Sequence, residues 1–287
     1  SSAKQRGYKL RISINDIRTM KRKGLPIPML TAYDYPTAKL IDQAGIPFIL
    51  VGDSLGQVVL GYESTVRVTM EDMLHHIKAV VRGAEHALIV GDMPFMSYQS
   101  DVSTAIRNAG RILQEGGAGA VKMEGGEHMA ETTRQIVQCG IPVMGHIGLT
   151  PQSVHQLGGY RVQGKTAKTA SKLFRDAQAL EDAGVFSIVL ESVPAPLSRL
   201  ITERLSIPTI GIGAGPHCDG QVQVLHDFMG MFTDFRPKHA KRFASVADIL
   251  KDATSRYVKE VQSGAFPSEK ESFTMDESIL LELMAQR

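Results

Sequence analysis

Phe48-Ile-Leu-Val-Gly-Asp53 and Ala87-Leu-Ile-Val-Gly-Asp92 end alike. Each is an apolar run that stops at Gly-Asp, and the two aspartates lie 39 positions apart. A short apolar run bounded by glycine reads as a strand buried on both faces. A carboxylate at the end of such a strand is costly if left dry and unpaired. Two of them, one supersecondary unit apart, have two readings. They cap the helices that follow, or something shared neutralises both. For the second reading a hard divalent cation such as Mg²⁺ is the natural candidate, because it is commonly held by one or two carboxylates together with water and substrate.

Working outward, strand and helix signals alternate. Ser13-Ile-Asn-Asp16 opens a helix in capping-box style and Gly24 ends it. Strands are predicted at residues 28–33, 48–52, 88–91, 118–124, 142–145, 186–190 and 208–213, with an eighth candidate at 222–227. Helices are predicted at 36–44, 69–84, 101–115, 127–138, 166–182 and 196–205. The idiom Ala-Gly-Ile-Pro47 recurs as Cys-Gly-Ile-Pro142 and Ala-Gly-Val-Phe186. Glycine closes each helix, and proline stands at a strand start where no ladder donor is lost. Eight such units predict an α/β fold, a (β/α)₈ TIM barrel, with a doubly wound open sheet as the alternative. The expected organisation is a single domain over residues 1–287, with a short N-terminal helix and a core of about 27–260. A C-terminal extension at 261–287 reads as extended from Gly264, then a short helix from Asp276.

Composition agrees with a single large core. The chain has 287 residues, 43% hydrophobic, and a net charge of +2. So small a charge argues against nucleic-acid or membrane partners. The basic stretch Lys21-Arg22-Lys23 reads as a solvated helix end. Two cysteines, Cys139 and Cys218, offer neither a disulfide framework nor metal-finger spacing. No run approaches the length of a membrane span. Ser1-Ser-Ala-Lys-Gln-Arg6 carries no apolar signal core, so a cytoplasmic protein is expected.

In a (β/α)₈ barrel the chemistry sits at the C-terminal ends of the strands. Those ends carry Asp53-Ser54, Asp92, Lys122 with Glu124, His146, and Glu191-Ser192. Any one of them has an ordinary structural explanation: a core histidine, a buried salt bridge, a Glu191–Lys122 pair. Together they place many charges around one mouth, which is expensive without a function. Asp53 and Asp92 suit Mg²⁺, with Glu124 as a third ligand. Lys122 supplies fixed positive charge for a carboxylate or developing oxyanion. Glu191 suits a general base. Gly211-Ile-Gly-Ala-Gly215 lacks the spacing of a dinucleotide loop and reads as a tight turn after strand seven. The adjacent pair His75-His76 reads as surface.

Thr31-Ala-Tyr-Asp-Tyr35, Val51-Gly-Asp-Ser-Leu-Gly56, Gly91-Asp-Met-Pro-Phe-Met96 and Val121-Lys-Met-Glu-Gly-Gly126 stand in that order along the chain. Gly145-His-Ile-Gly-Leu-Thr-Pro-Gln152, Leu190-Glu-Ser-Val-Pro194 and Cys218-Asp-Gly-Gln221 follow. With these motifs the chain resembles the ketopantoate hydroxymethyltransferase family. The resemblance implies a TIM barrel with a Mg²⁺ site in a homo-oligomer, typically a decamer. It implies transfer of the one-carbon unit of 5,10-methylenetetrahydrofolate to 3-methyl-2-oxobutanoate, giving 2-dehydropantoate and tetrahydrofolate in pantothenate biosynthesis. By position, Asp53 and Asp92 match the metal-binding carboxylates, with Glu124 assisting. Asp53, Ser54, Asp92 and Lys122 match the oxo-acid contacts, His146 a site histidine, and Glu191 the proton acceptor. The rival readings are a Mg²⁺-dependent lyase or mutase of the phosphoenolpyruvate mutase and isocitrate lyase type, and a non-catalytic barrel.

Overall fold

The computed structural model describes residues 11–286, so the signal-peptide reading of Ser1–Arg6 lies outside the described residues. Eight parallel strands close into a barrel in chain order. They are β1 (Ile27–Thr31), β2 (Phe48–Val51), β3 (Leu88–Asp92), β4 (Ala120–Glu124), β5 (Val143–Gly148), β6 (Ser187–Glu191), β7 (Thr209–Ile212) and β8 (Gly220–Gln223). β8 pairs back onto β1 with Ile27 opposite Gly220. The predicted TIM barrel is the observed fold, and the open-sheet alternative falls because neither edge is left unpaired.

The helices are α1 (Ile14–Arg22), α2 (Tyr35–Gln43), α3 (Leu55–Val58), α4 (Met70–Gly83), α5 (Val102–Gln114) and α6 (Ala130–Gln138). Then come α7 (Val154–Leu157), α8 (Ala167–Ala183), α9 (Ala195–Arg204), α10 (Leu225–Phe228), α11 (Val246–Ser263) and α12 (Glu277–Ala285). The capping box at α1 forms as read: the Asp16 amide donates to Ser13 Oγ, and the Ser13 amide donates to Asp16 Oδ2. The three idiom glycines that close helices, Gly45, Gly140 and Gly184, all adopt positive φ.

Strand alternation splits the core in two. Phe48, Leu50, Leu88, Val90, Ala120, Met144, Val189 and Ile210 fill the barrel interior. Ile49, Val51, Ile89, Val121, Val143 and Ile188 face outward and pack with the helices. Ile17 of α1, fully buried, joins the interior cluster and so plugs the N-terminal end. The plug corrects the reading of the basic stretch at Lys21. Its ammonium donates to the carbonyls of Thr202 and Ile207 and pairs with Asp219 at 3.0 Å. A cation reaching buried carbonyls satisfies helix- and strand-end groups that water cannot.

Three further departures have local causes. β8 ends at Gln223, earlier than read, because the Leu225 amide donates to Thr31 Oγ1 and the chain turns into α10. β5 runs three residues past its predicted end and takes His146 into the sheet, paired with Val189. α11 is absent from the sequence reading although Val246, Ile249, Leu250, Ala253, Tyr257 and Val261 recur at helical spacing and Gly264 closes it, and it packs no buried residue. Instead Ile249, Leu250 and Tyr257 on α11, and Leu281 and Met284 on α12, are exposed. Among the described residues, no helix is long and apolar enough to cross a membrane, and Cys139 and Cys218 are free.

Candidate active site

The interior alternation that packs the barrel also aims the site. Two residues beyond Val90 comes Asp92, two beyond Ala120 Lys122 and then Glu124, two beyond Met144 His146, and two beyond Val189 Glu191. All five therefore point inward at the C-terminal mouth. Asp53 joins from the loop after β2. Asp53, Asp92, Lys122, Glu124 and His146 are all buried, and Glu191 is open to the mouth.

Asp53 and Asp92 meet through the backbone: the Asp53 amide donates to Asp92 Oδ2 at 2.9 Å. A side chain at 52 would crowd Ser54 beside that contact. A Cβ there would lie 2.9 Å from Ser54 Oγ and 3.5 Å from Asp92 Oδ2. The glycine of the second Val-Gly-Asp serves the other face. A Cβ on Gly91 would strike Ile77 Cδ1 at 2.6 Å and Ile112 Cγ2 at 2.8 Å, in α4 and α5. The two strings are thus out of phase. The register sets Val51 against Gly91, which brings Gly52 level with Asp92.

Lys122 Nζ stands 3.1 Å from Asp92 Oδ1 and 3.0 Å from His146 Nδ1. An ammonium has no acceptor, so Nδ1 accepts and the imidazole proton lies on Nε2. Nε2 is 3.0 Å from Glu191 Oε2. The approach is close but off the line of a hydrogen bond, which leaves the carboxylate free to take another proton. The alternative Glu191–Lys122 pair is not what forms: Lys122 goes to Asp92 and His146, and Glu191 goes to His146. Ser54 shares a 2.8 Å hydrogen bond with the Tyr33 hydroxyl.

Four carboxylates face one ammonium here, and the electrostatics follow. Burial, then the charge of Asp92, pushes Asp53 up to about 7. Burial, then the charge of Asp53, lifts Glu124 well above the usual carboxylate range. Burial pulls Lys122 down, but Asp92, Glu124 and Asp53 outweigh it and the ammonium is held above the ordinary lysine value. Burial and the Lys122 charge lower His146, so the imidazole is neutral at neutral pH.

Two functional residues carry no role in the sequence reading. Gln152 Nε2 donates to Asp53 Oδ2 at 2.9 Å and to the Met93 carbonyl, and its backbone amide donates to Glu124 Oε2 at 3.0 Å. Tyr98 donates to Gln152 Oε1 at 2.6 Å and accepts from the Glu124 amide. Both sit on loops, where polar residues have no periodicity to mark them; Pro151, opening the short turn that carries Gln152, is the one available signal. His76 is not the surface residue it looked: its Nδ1 lies 2.7 Å from the Tyr33 carbonyl. Replacing Gln152 by leucine unpairs Tyr98 and strips Asp53 of a donor. The expected cost is about 1–3 kcal/mol, read from urea unfolding. An unchanged midpoint would show that Gln152 does not hold the carboxylates.

Comparison with known proteins decides the family. The model of the ketopantoate hydroxymethyltransferase family matches residues 11–269. The chain belongs to the ketopantoate hydroxymethyltransferase family. It is 62% identical to a 3-methyl-2-oxobutanoate hydroxymethyltransferase of Dehalococcoides mccartyi, over 96% of this chain and 98% of that one. It is 57% identical to the enzyme of that name from Clostridium botulinum, over 96% and 100%. The hydroxymethyltransferase family thus defines the chain as an enzyme of that type. Among solved structures, phosphonopyruvate hydrolase in complex with oxalate and Mg⁺⁺ superposes with a TM-score of 0.59 at 13% identity, covering 96% of each chain. A 2,3-dimethylmalate lyase of the PEP mutase/isocitrate lyase superfamily gives 0.57 at 15% identity, covering 96% and 99%. Those identities speak for the fold alone. The rival lyase or mutase reading shares the barrel and not the family.

Proposed function

We propose that this hydroxymethyltransferase moves the one-carbon unit of 5,10-methylenetetrahydrofolate to 3-methyl-2-oxobutanoate, giving 2-dehydropantoate and tetrahydrofolate for pantothenate biosynthesis. The observation that carries the reading is the inward row Asp92, Lys122, Glu124, His146 and Glu191 at one barrel mouth in a chain of this family. Glu191 takes the hydrogen from C3 of the oxo acid as a proton. Lys122 holds positive charge beside the carboxylate or the developing oxyanion. His146 Nε2 lies against Glu191 at 3.0 Å and limits its rotation, while Lys122 fixes the His146 tautomer. Water opens the methylene bridge, so that tetrahydrofolate leaves and the one-carbon unit is freed at the formaldehyde level; C3 then adds to that carbon, and its oxygen takes the proton held by Glu191 to become the product hydroxyl. Consumption of the oxo acid should require methylenetetrahydrofolate; consumption without it, followed by mass spectrometry, would favour the lyase reading.

The residues fit a Mg²⁺ ion. Among the described residues no three His, Cys, Asp or Glu side chains form a ready-made cage. A cation held by two carboxylates, with water and substrate completing the shell, needs none. Asp53 and Asp92 would hold it, with Glu124 in support, and the excess of four carboxylates over one ammonium supplies the charge. When bound, Mg²⁺ would act as a Lewis acid on the oxo-acid ketone and acidify the neighbouring C–H. The pH dependence has a definite sign. Asp53 titrates at about 7 folded against 3.8 unfolded, so its contribution favours the fold at low pH and is lost as pH rises through about 7. Protons and Mg²⁺ compete for the same carboxylate. Millimolar Mg²⁺ should therefore raise the melting temperature more at pH 8 than at pH 5.5. Equal shifts at both values would remove Asp53 from the ligand set.

The exposed apolar residues of α11 and α12 support the homo-oligomer. Removing residues 265–287 should lower the number of chains per sedimenting particle at micromolar protein. An unchanged number would exclude α12 from the interface.

A further inference from the structure

The site described above accounts for the oxo acid and leaves the larger co-substrate without a seat. Outside it, the strongest feature at the mouth is the segment 231–243, between α10 and α11. It carries Arg236, Lys238, Lys241 and Arg242 within seven residues, with His239 among them. Opposing charge is slight: Asp234 is exposed, and Asp227, half-buried beneath, is pushed up by burial and held back by His239 and Arg242. Two aromatic rings stand among the cations, Phe235 at 67% exposure and Phe243 at 58%. Phe243 is propped on Phe228 with ring centroids 4.8 Å apart, and Lys241 Nζ lies 4.9 Å from the Phe243 ring centroid.

Two anchors fix this segment on the catalytic rim. The Lys241 amide donates to Gln223 Oε1 at the end of β8. The His239 ring covers Gly213, where a Cβ would lie 3.1 Å from Nδ1. Gly213 follows Ile212, the register partner of Glu191, and the Ile212 carbonyl accepts from the Ser192 amide. The segment thus touches the rim one residue from Ile212, the strand position paired with Glu191.

We propose that segment 231–243 docks the aminobenzoyl-glutamate end of the folate donor. Phe235 and Phe243 take the flat ring, and Arg236, Lys238, Lys241 and Arg242 take the glutamate carboxylates. The assignment rests on the donor named under the proposed function. Charge complementarity chooses this occupant: the donor joins an aromatic plane to at least two carboxylates, and each added glutamate brings another. A neutral apolar partner would have no use for four cations.

The test is equilibrium binding of tetrahydrofolate carrying one or five glutamates to the full chain, with turnover measured in parallel. Wild type should bind the pentaglutamate more tightly, and the difference should shrink at high salt. Arg236→Glu/Lys238→Glu should weaken pentaglutamate binding by about tenfold and monoglutamate binding by about two- to threefold, from the modest worth of each exposed pair. Phe235→Ala should weaken both chain lengths alike, by about two- to tenfold. KM for the donor should rise with kcat held within about twofold. Unchanged affinities in the double variant of a chain that still turns over methylenetetrahydrofolate overturn the docking surface alone. Loss of assembly in place of loss of folate affinity overturns it in favour of a subunit contact. A wild type that neither binds nor uses folate overturns the donor reading and the docking surface together.

Discussion

Replacing Glu191 by alanine abolishes exchange of the C3 hydrogen of 3-methyl-2-oxobutanoate with deuterated water and lowers turnover by about 10²–10⁴-fold. The reasoning is geometric first. Glu191 is the rim carboxylate open to the mouth, and its neighbour His146 approaches without consuming its acceptor capacity. Asp53, Asp92 and Glu124 are each already engaged by an amide or an ammonium. Glu191→Gln keeps the shape and removes the base, so it should fail as alanine does. Asp92→Ala should abolish exchange as well, because it removes one of the two carboxylates proposed to hold Mg²⁺ and the partner that fixes Lys122. NMR of the oxo acid in D₂O reads both variants. Exchange near the wild-type rate in both would sink the assignment of Glu191 and of the carboxylate pair.

Lys122→Met should cost about 3–5 kcal/mol of stability, because it removes one partner of a buried ion pair. Methionine matches the stem in length but leaves Asp92 Oδ1 facing no cation. It also returns Asp53 and Glu124 to a site whose only counter-charge has gone. The loss should be largest in EDTA and smaller with Mg²⁺ present. Lys122→Met/Asp92→Asn should recover a large part of it, since the second change removes the uncompensated charge. Urea unfolding of the three variants measures the coupling. A single variant within about 1 kcal/mol of wild type would mean that water reaches Asp92 and that the pair is not truly buried.

The barrel was legible because its signals are local. Apolar runs, helix-closing glycines and strand-initial prolines each declare an element without reference to the rest of the chain. The inward row was legible for the same reason. Period two carries Val90 to Asp92 and Ala120 to Lys122 and Glu124 with no tertiary information. What escaped depends on contacts between distant segments. Gln152 matters because its loop folds across to Asp53, 99 residues away. Lys21 looked like a solvated helix end because nothing local reveals that α1 plugs the barrel floor. α11 was legible in the same local way, from Val246, Ile249, Leu250 and Ala253 at helical spacing, and was missed; what no local signal reveals is that this apolar face stays exposed among the described residues.

The one-residue stagger between the two Val-Gly-Asp strings is what closure imposes on neighbouring tilted strands, about one residue per strand in an eight-stranded barrel of shear 8. It sets Val51 against Gly91. The two glycines therefore face opposite ways: a Cβ on Gly52 would meet Ser54, Asp92 and Leu50, and one on Gly91 would meet Ile77 and Ile112. In a closed barrel, identical spelling on adjacent strands marks where each strand ends and leaves open which side a residue serves.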